Sequence, residues 1–90
     1  MGLKHASGES LATIADLLRA IWHVSGLRER KTGIFYRRGK AYLHFHESSD
    51  VELFADVRLS SDTEFERHNV STKTSKEDFL ALIEKDLGAG

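Results

Sequence analysis

The chain has 90 residues, with 13 Lys and Arg against 14 Asp and Glu, for a formal net charge of −1. Hydrophobic residues are 40% and charged residues 30%, a globular balance that excludes an extended disordered segment. Cysteine is absent, which excludes disulfide staples, thiolate metal sites and a cysteine nucleophile. No apolar run approaches the roughly 18 residues of a membrane span, and the sequence opens without a signal-peptide apolar core. These features lead us to expect one cytoplasmic domain over residues 1–90, with 1–8 and 88–90 flexible and no membrane partner.

The first periodic segment covers residues 9–25. Leu11, Ile14, Ala15, Leu17, Leu18, Ile21, Trp22 and Val24 share half the circumference of a helix, and Asp16, Arg19 and His23 lie opposite. Ser7 or Ser10 supplies the N-cap and Gly26 the stop. Trp22 reads as a core anchor between this helix and a sheet, ahead of an exposed partner hot spot, and His5 falls in the N-terminal tail. The period then changes from 3.6 to 2. Strands are expected over Gly33–Arg37, Lys40–Glu47, Val51–Leu59 and Glu64–Val70, separated by turns at Arg38-Gly39, Ser48-Ser49-Asp50 and Ser60-Ser61-Asp62. A second helix follows over 75–87, with Ser75 and Asp78 resembling a capping box and Asp86 interrupting its apolar stripe. The order α-β-β-β-β-α with short connections predicts an α+β fold: a four-stranded antiparallel meander sheet flanked in sequence by the two helices.

One face of that sheet does not read as plain surface. In the second and third strands, Ala41, Leu43, Phe45, Val51, Leu53, Ala55, Val57 and Leu59 form the core face. The other face then carries Tyr42, His44, His46, Glu52, Phe54, Asp56 and Arg58. Aligning the core residues sets His46 opposite Glu52, His44 opposite Phe54 and Tyr42 opposite Asp56. A two-residue turn at Arg38-Gly39 adds Phe35 beside Tyr42, whereas a three-residue turn adds Ile34 and Tyr36 instead. A fully solvated face is not expected to carry so many aromatic side chains. We therefore expect a second subunit, a small ligand or one of the chain's own helices to cover part of it.

His44-Phe45-His46 places both imidazoles on one side of a strand, where they can share a divalent metal with Glu52 or Asp56 as an oxygen ligand. The competing reading is that they bond the facing carboxylates within an interface. A histidine beside a carboxylate is also the core of general acid–base catalysis. Yet Gly8-Glu9-Ser10 is no nucleophile elbow, and no glycine-rich phosphate loop exists, so the balance leans against an enzyme. Charge is uneven: residues 1–45 carry 8 bases and 3 acids, residues 46–90 carry 5 bases and 11 acids. Arg28, Arg30, Lys31, Arg37, Arg38 and Lys40 cluster near Phe35, Tyr36 and Tyr42, which offers a basic, aromatic platform for single-stranded nucleic acid. The sequence pI near 6.5 argues against a dedicated nucleic-acid binder.

The segment Gly33-Ile34-Phe35-Tyr36-Arg37, Gly39-Lys40-Ala41-Tyr42-Leu43-His44-Phe45-His46-Glu47 and Phe54-Ala55-Asp56-Val57-Arg58 resembles a family of small uncharacterised bacterial proteins that carries no assigned activity. The helix–meander–helix order also resembles the small α+β modules of the MmcQ/YjbR and TfoX N-domain kind. The resemblance implies a fold and no catalytic residues. The expectation is a non-enzymatic binding or interaction domain without a required cofactor. Its second sheet face would serve as a homodimer interface or small-ligand pocket.

Overall fold

Alternation in residues 40–57 sets the architecture, because a strand with one oily face needs a cover on that side alone. The computed structural model describes residues 4–48, 52–60 and 64–88. Its elements run β1 (Lys4–His5), α1 (Gly8–Ala12), α2 (Ala15–Trp22), β2 (Arg28–Lys31), β3 (Ile34–Arg37), β4 (Lys40–Glu47), β5 (Leu53–Val57), β6 (Glu66–Asn69) and α3 (Lys73–Gly88). The expected turn residues 49–50, Val51 of the expected third strand, loop residues 61–62 and tail residues 89–90 lie outside the described residues.

The fold is α+β, and the described strands form one six-stranded sheet ordered β2-β3-β4-β5-β6 with antiparallel pairings throughout. β1 pairs with β4 beyond the point where β3 ends: Phe45 N–H donates to Gly33 O, and Ala6 N–H donates to Phe45 O. The expected four strands are thus present as β3 to β6, and β1 and β2 extend the sheet. Lys4–His5, expected in the flexible segment, is β1.

Phe35, Leu43, Phe45, Ala55 and Val57 turn to one face, where they join Leu11, Ile14, Leu17, Ile21, Phe79 and Ile83 in a single buried cluster. All three described helices therefore cover the same side. Their other sides face water, and none is long and apolar enough to cross a membrane.

The expected helix over 9–25 is two helices. Thr13 Oγ1 donates to Ser10 O at 2.6 Å, and the Thr13 and Ile14 amides bond three residues back. This side-chain competition tightens the turn and ends α1. The redirected α2 keeps Leu17 and Ile21 in the core and turns Trp22 outward, 64% exposed. Trp22 is therefore no core anchor; its Nε1 donates to Glu29 Oε1 at 2.8 Å. α3 starts two residues earlier than expected, because Thr72 is its cap. Thr72 Oγ1 accepts from Ser75 N–H, and Ser75 Oγ accepts from Thr72 N–H, both at 3.0 Å.

Glycine is required at Gly33, where φ is +77° and a Cβ would lie 3.1 Å from Leu11 Cδ1. The β3–β4 connection is a two-residue turn with Arg37 opposite Lys40. Arg38 has φ +53° and Gly39 φ +82°, the pair of left-handed residues that a tight hairpin turn needs.

Candidate functional site

The uncovered sheet face is built in two rows. His5, His46, Phe54 and Asn69 stand side by side across β1, β4, β5 and β6. Ile34, His44, Asp56 and Arg67 form the next row across β3, β4, β5 and β6. The register of β4 on β5 differs from expectation by two residues: His46 meets Phe54, and His44 meets Asp56. A two-residue shift keeps every side chain on its face, so His44, His46, Phe54 and Asp56 gather as the alternation implied.

Asp56 is the hinge of the cluster. It is buried, 6% exposed, so its carboxylate needs partners. Arg67 supplies a two-pronged one, Nε to Oδ1 at 2.8 Å and a terminal N–H to Oδ2 at 3.0 Å. His46 Nε2 lies 3.3 Å from Oδ2. Burial alone would raise the Asp56 carboxyl pKa. The Arg67 hydrogen bonds and charge, aided by His46 and His44, outweigh that and hold it below the usual carboxylate value.

The imidazoles meet at 2.6 Å, His44 Nδ1 to His46 Nε2. One of the two must carry the shared hydrogen. Placed on His46 Nε2, that hydrogen serves both His44 Nδ1 and Asp56 Oδ2. His46 Nδ1, buried without a partner, is then a bare lone pair, a smaller penalty than an unbonded N–H. Burial first, then the neighbouring His46, lowers the His44 pKa below its ordinary value. His44 is therefore neutral at physiological pH, with its lone pair on the side facing His46. Phe65 closes this end of the site, its ring centroid 4.6 Å from that of His44, and the Arg58 guanidinium lies over the same ring, 5.0 Å from its centroid.

Two residues expected here are elsewhere. Tyr42 is displaced by a bulge: Phe35 pairs with Leu43 and Tyr36 with Ala41, which leaves Tyr42 unopposed on β3. Its side chain turns into the helix-covered core, 3% exposed, and its hydroxyl donates to Asp86 Oδ2 of α3 at 2.8 Å. That bond explains the carboxylate in the apolar stripe of α3. Glu52 precedes β5 and accepts from Asn69 Nδ2 at 2.9 Å, away from the imidazoles. The same bulge settles the choice between turn lengths: the turn has two residues, yet Ile34 and Tyr36 reach the open face while Phe35 is core. His68 lies on the core side opposite Ala55, bonded to Glu66 and packed against Phe79.

The six clustered bases divide. Arg37, Arg38 and Lys40 line one concavity together with Arg58. Arg28 and Arg30 flank Tyr36, with the Arg30 guanidinium 5.8 Å from the ring centroid. Lys31 pairs with Ile34 at the opposite end of β3. Sequence reasoning missed Arg67, Phe65 and His5 as members of the open face. Arg67 is recoverable from alternation once Ala55 is set opposite His68, but no apolar residue in Glu66–Asn69 fixes that register.

No family model, no curated protein and no solved structure matches the chain, so the geometry of the face carries the functional reading.

Proposed function

We propose that the chain is a binding module acting through its uncovered sheet face, and that His44, His46 and Asp56 hold a divalent transition metal such as zinc there. One observation carries this reading: a ligand atom from each of these three residues lies within 4.8 Å of the other two. Two imidazole nitrogens and a carboxylate oxygen suit zinc, nickel or iron, and three protein ligands leave a position open to water or a small anion. Arg67 orients the carboxylate by holding Oδ1, and its bond to Oδ2 leaves that oxygen a second lone pair.

Binding through His46 Nε2 moves the ring hydrogen to Nδ1, where no described polar atom accepts it. A missing outer-shell partner lowers metal affinity by about 10–100-fold, so the expected site is weak and not a permanent structural one. Isothermal titration with zinc should give one ion per chain at neutral pH. His44→Ala and His46→Ala should each abolish the heat while the fold is retained. Unchanged zinc binding in both variants would end this reading.

A second reading is favoured by the half-buried Ile34 and Phe54 and the exposed Phe65 around the cluster, which suit the face to a second copy of the chain. It requires a melting temperature that rises with protein concentration. A concentration-independent value with a monomer mass in light scattering would contradict it.

A further inference from the structure

We propose a separate ligand site, for the phosphate group of an organic phosphate, at the end of the sheet where the β3–β4 turn meets the chain leaving β5. A concavity of about 460 Å³ lies there, lined by Arg37, Arg38, Lys40, Arg58, Ala41 and Leu59 among others. Four cations share it, and none forms an ion pair with a described residue. The nearby Asp86 carboxylate forms no ion pair with them. Asp86 accepts from Tyr42 Oη, from Ser60 N–H and from Ser60 Oγ. Like charges gathered in one hollow repel, and a dianion entering among them relieves that repulsion.

The cations are also positioned. Arg58 donates to Ala41 O at 2.7 Å and lies over the Phe65 ring. Arg37 donates to Ser60 Oγ, which Asp86 fixes in turn. A guanidinium held by one edge keeps its remaining N–H groups for an anion, so less freedom is lost on binding. Arg38 adds an independent sign. It holds a left-handed backbone, φ +53°, at a turn position favouring Gly, Asn or Asp. The two-residue turn requires that conformation, and the exposed Arg38 side chain is bonded to no described residue, which leaves its guanidinium free for a ligand. Ala41 and Leu59 give the hollow an apolar wall, which suits the organic part of a phosphomonoester better than inorganic phosphate alone.

The experiment is a titration of the full chain, followed by amide NMR, with phenyl phosphate, inorganic phosphate and oligothymidylate in parallel. Phenyl phosphate should shift the signals of Lys40, Ala41, Leu59 and Ser60, and should bind more tightly than inorganic phosphate. Arg38→Gly relieves the backbone strain, so this variant should melt higher yet bind phenyl phosphate about tenfold more weakly, the value of one charge-assisted hydrogen bond. Lys40→Gln should weaken it in the same direction. Absence of shifts with phenyl phosphate, or full affinity in both variants, overturns the proposal. Equal affinity for the two phosphates overturns the organic assignment. Binding of oligothymidylate alone, with the steep salt dependence of many phosphate contacts, replaces this pocket with a nucleic-acid surface. None of these readouts involves His44 or His46, so the outcome is independent of the metal reading.

Discussion

The two faces of one sheet are governed by different physics, although their residues alternate along the same strands. On the helix side, Leu43, Phe45, Ala55 and Val57 are all 0% exposed, and packing decides what each position tolerates. On the open side, His44, His46, Phe54 and Arg67 keep contact with water, and the two imidazoles and Arg67 are organised by hydrogen bonds and charge around one buried carboxylate. The covered face makes the fold. The open face is stabilised only locally, which leaves its residues available for binding.

Matched substitutions sharpen that contrast. Phe45→Ala empties a fully buried site and should cost about 3–5 kcal/mol in chemical denaturation. Phe54→Ala, its neighbour across the pleat, should cost about 1 kcal/mol, because its side chain is already partly solvated. Comparable losses at both positions would contradict the asymmetry.

A smaller effect tests the Tyr42–Asp86 bond that ties the sheet to α3. Burial first, and then the Asp86 hydrogen bond and charge, push the Tyr42 phenol above its ordinary value. With a folded pKa above the unfolded value of about 10, its contribution is fully present below pH ~10 and is lost as pH climbs through the folded value. Tyr42→Phe should lower stability by about 1 kcal/mol at neutral pH and reduce the alkaline loss seen in urea titrations. An unchanged alkaline profile would show that Tyr42 does not control it.

The open face should be the most tolerant. His44→Ala should change stability by less than about 1 kcal/mol. The His44 pKa is lowered by burial and by His46, so in the native chain stability should decline as pH falls below the unfolded value of about 6.5. His44→Ala should flatten that decline. A steeper acid dependence in the variant would reverse the sign assigned here.

Alternation made much of this legible in the sequence. Leu43, Phe45, Leu53, Ala55 and Val57 define the core face, and a two-residue error in register leaves the opposite face intact. This is why His44, His46, Phe54 and Asp56 were recoverable while the partner of each was not. Tyr42 was lost to a bulge, and a local insertion in a pairing has no signature in hydrophobic periodicity. β2, Arg28–Lys31, is an edge strand of charged residues, a composition that protects edges but hides the strand. The break between α1 and α2 depends on Thr13 bonding back to Ser10, a side-chain choice that the continuous apolar stripe conceals.

The proposed metal site requires the ring nitrogens of His44 and His46 to converge with Asp56 on one ion. Nitrogen-15 NMR of the imidazoles during zinc addition tests it most directly. One nitrogen of each of these two rings should change, together and with a common saturation point, while His5, His23 and His68 stay unchanged. Uniform changes across all five histidines, or none at saturating zinc, would contradict it.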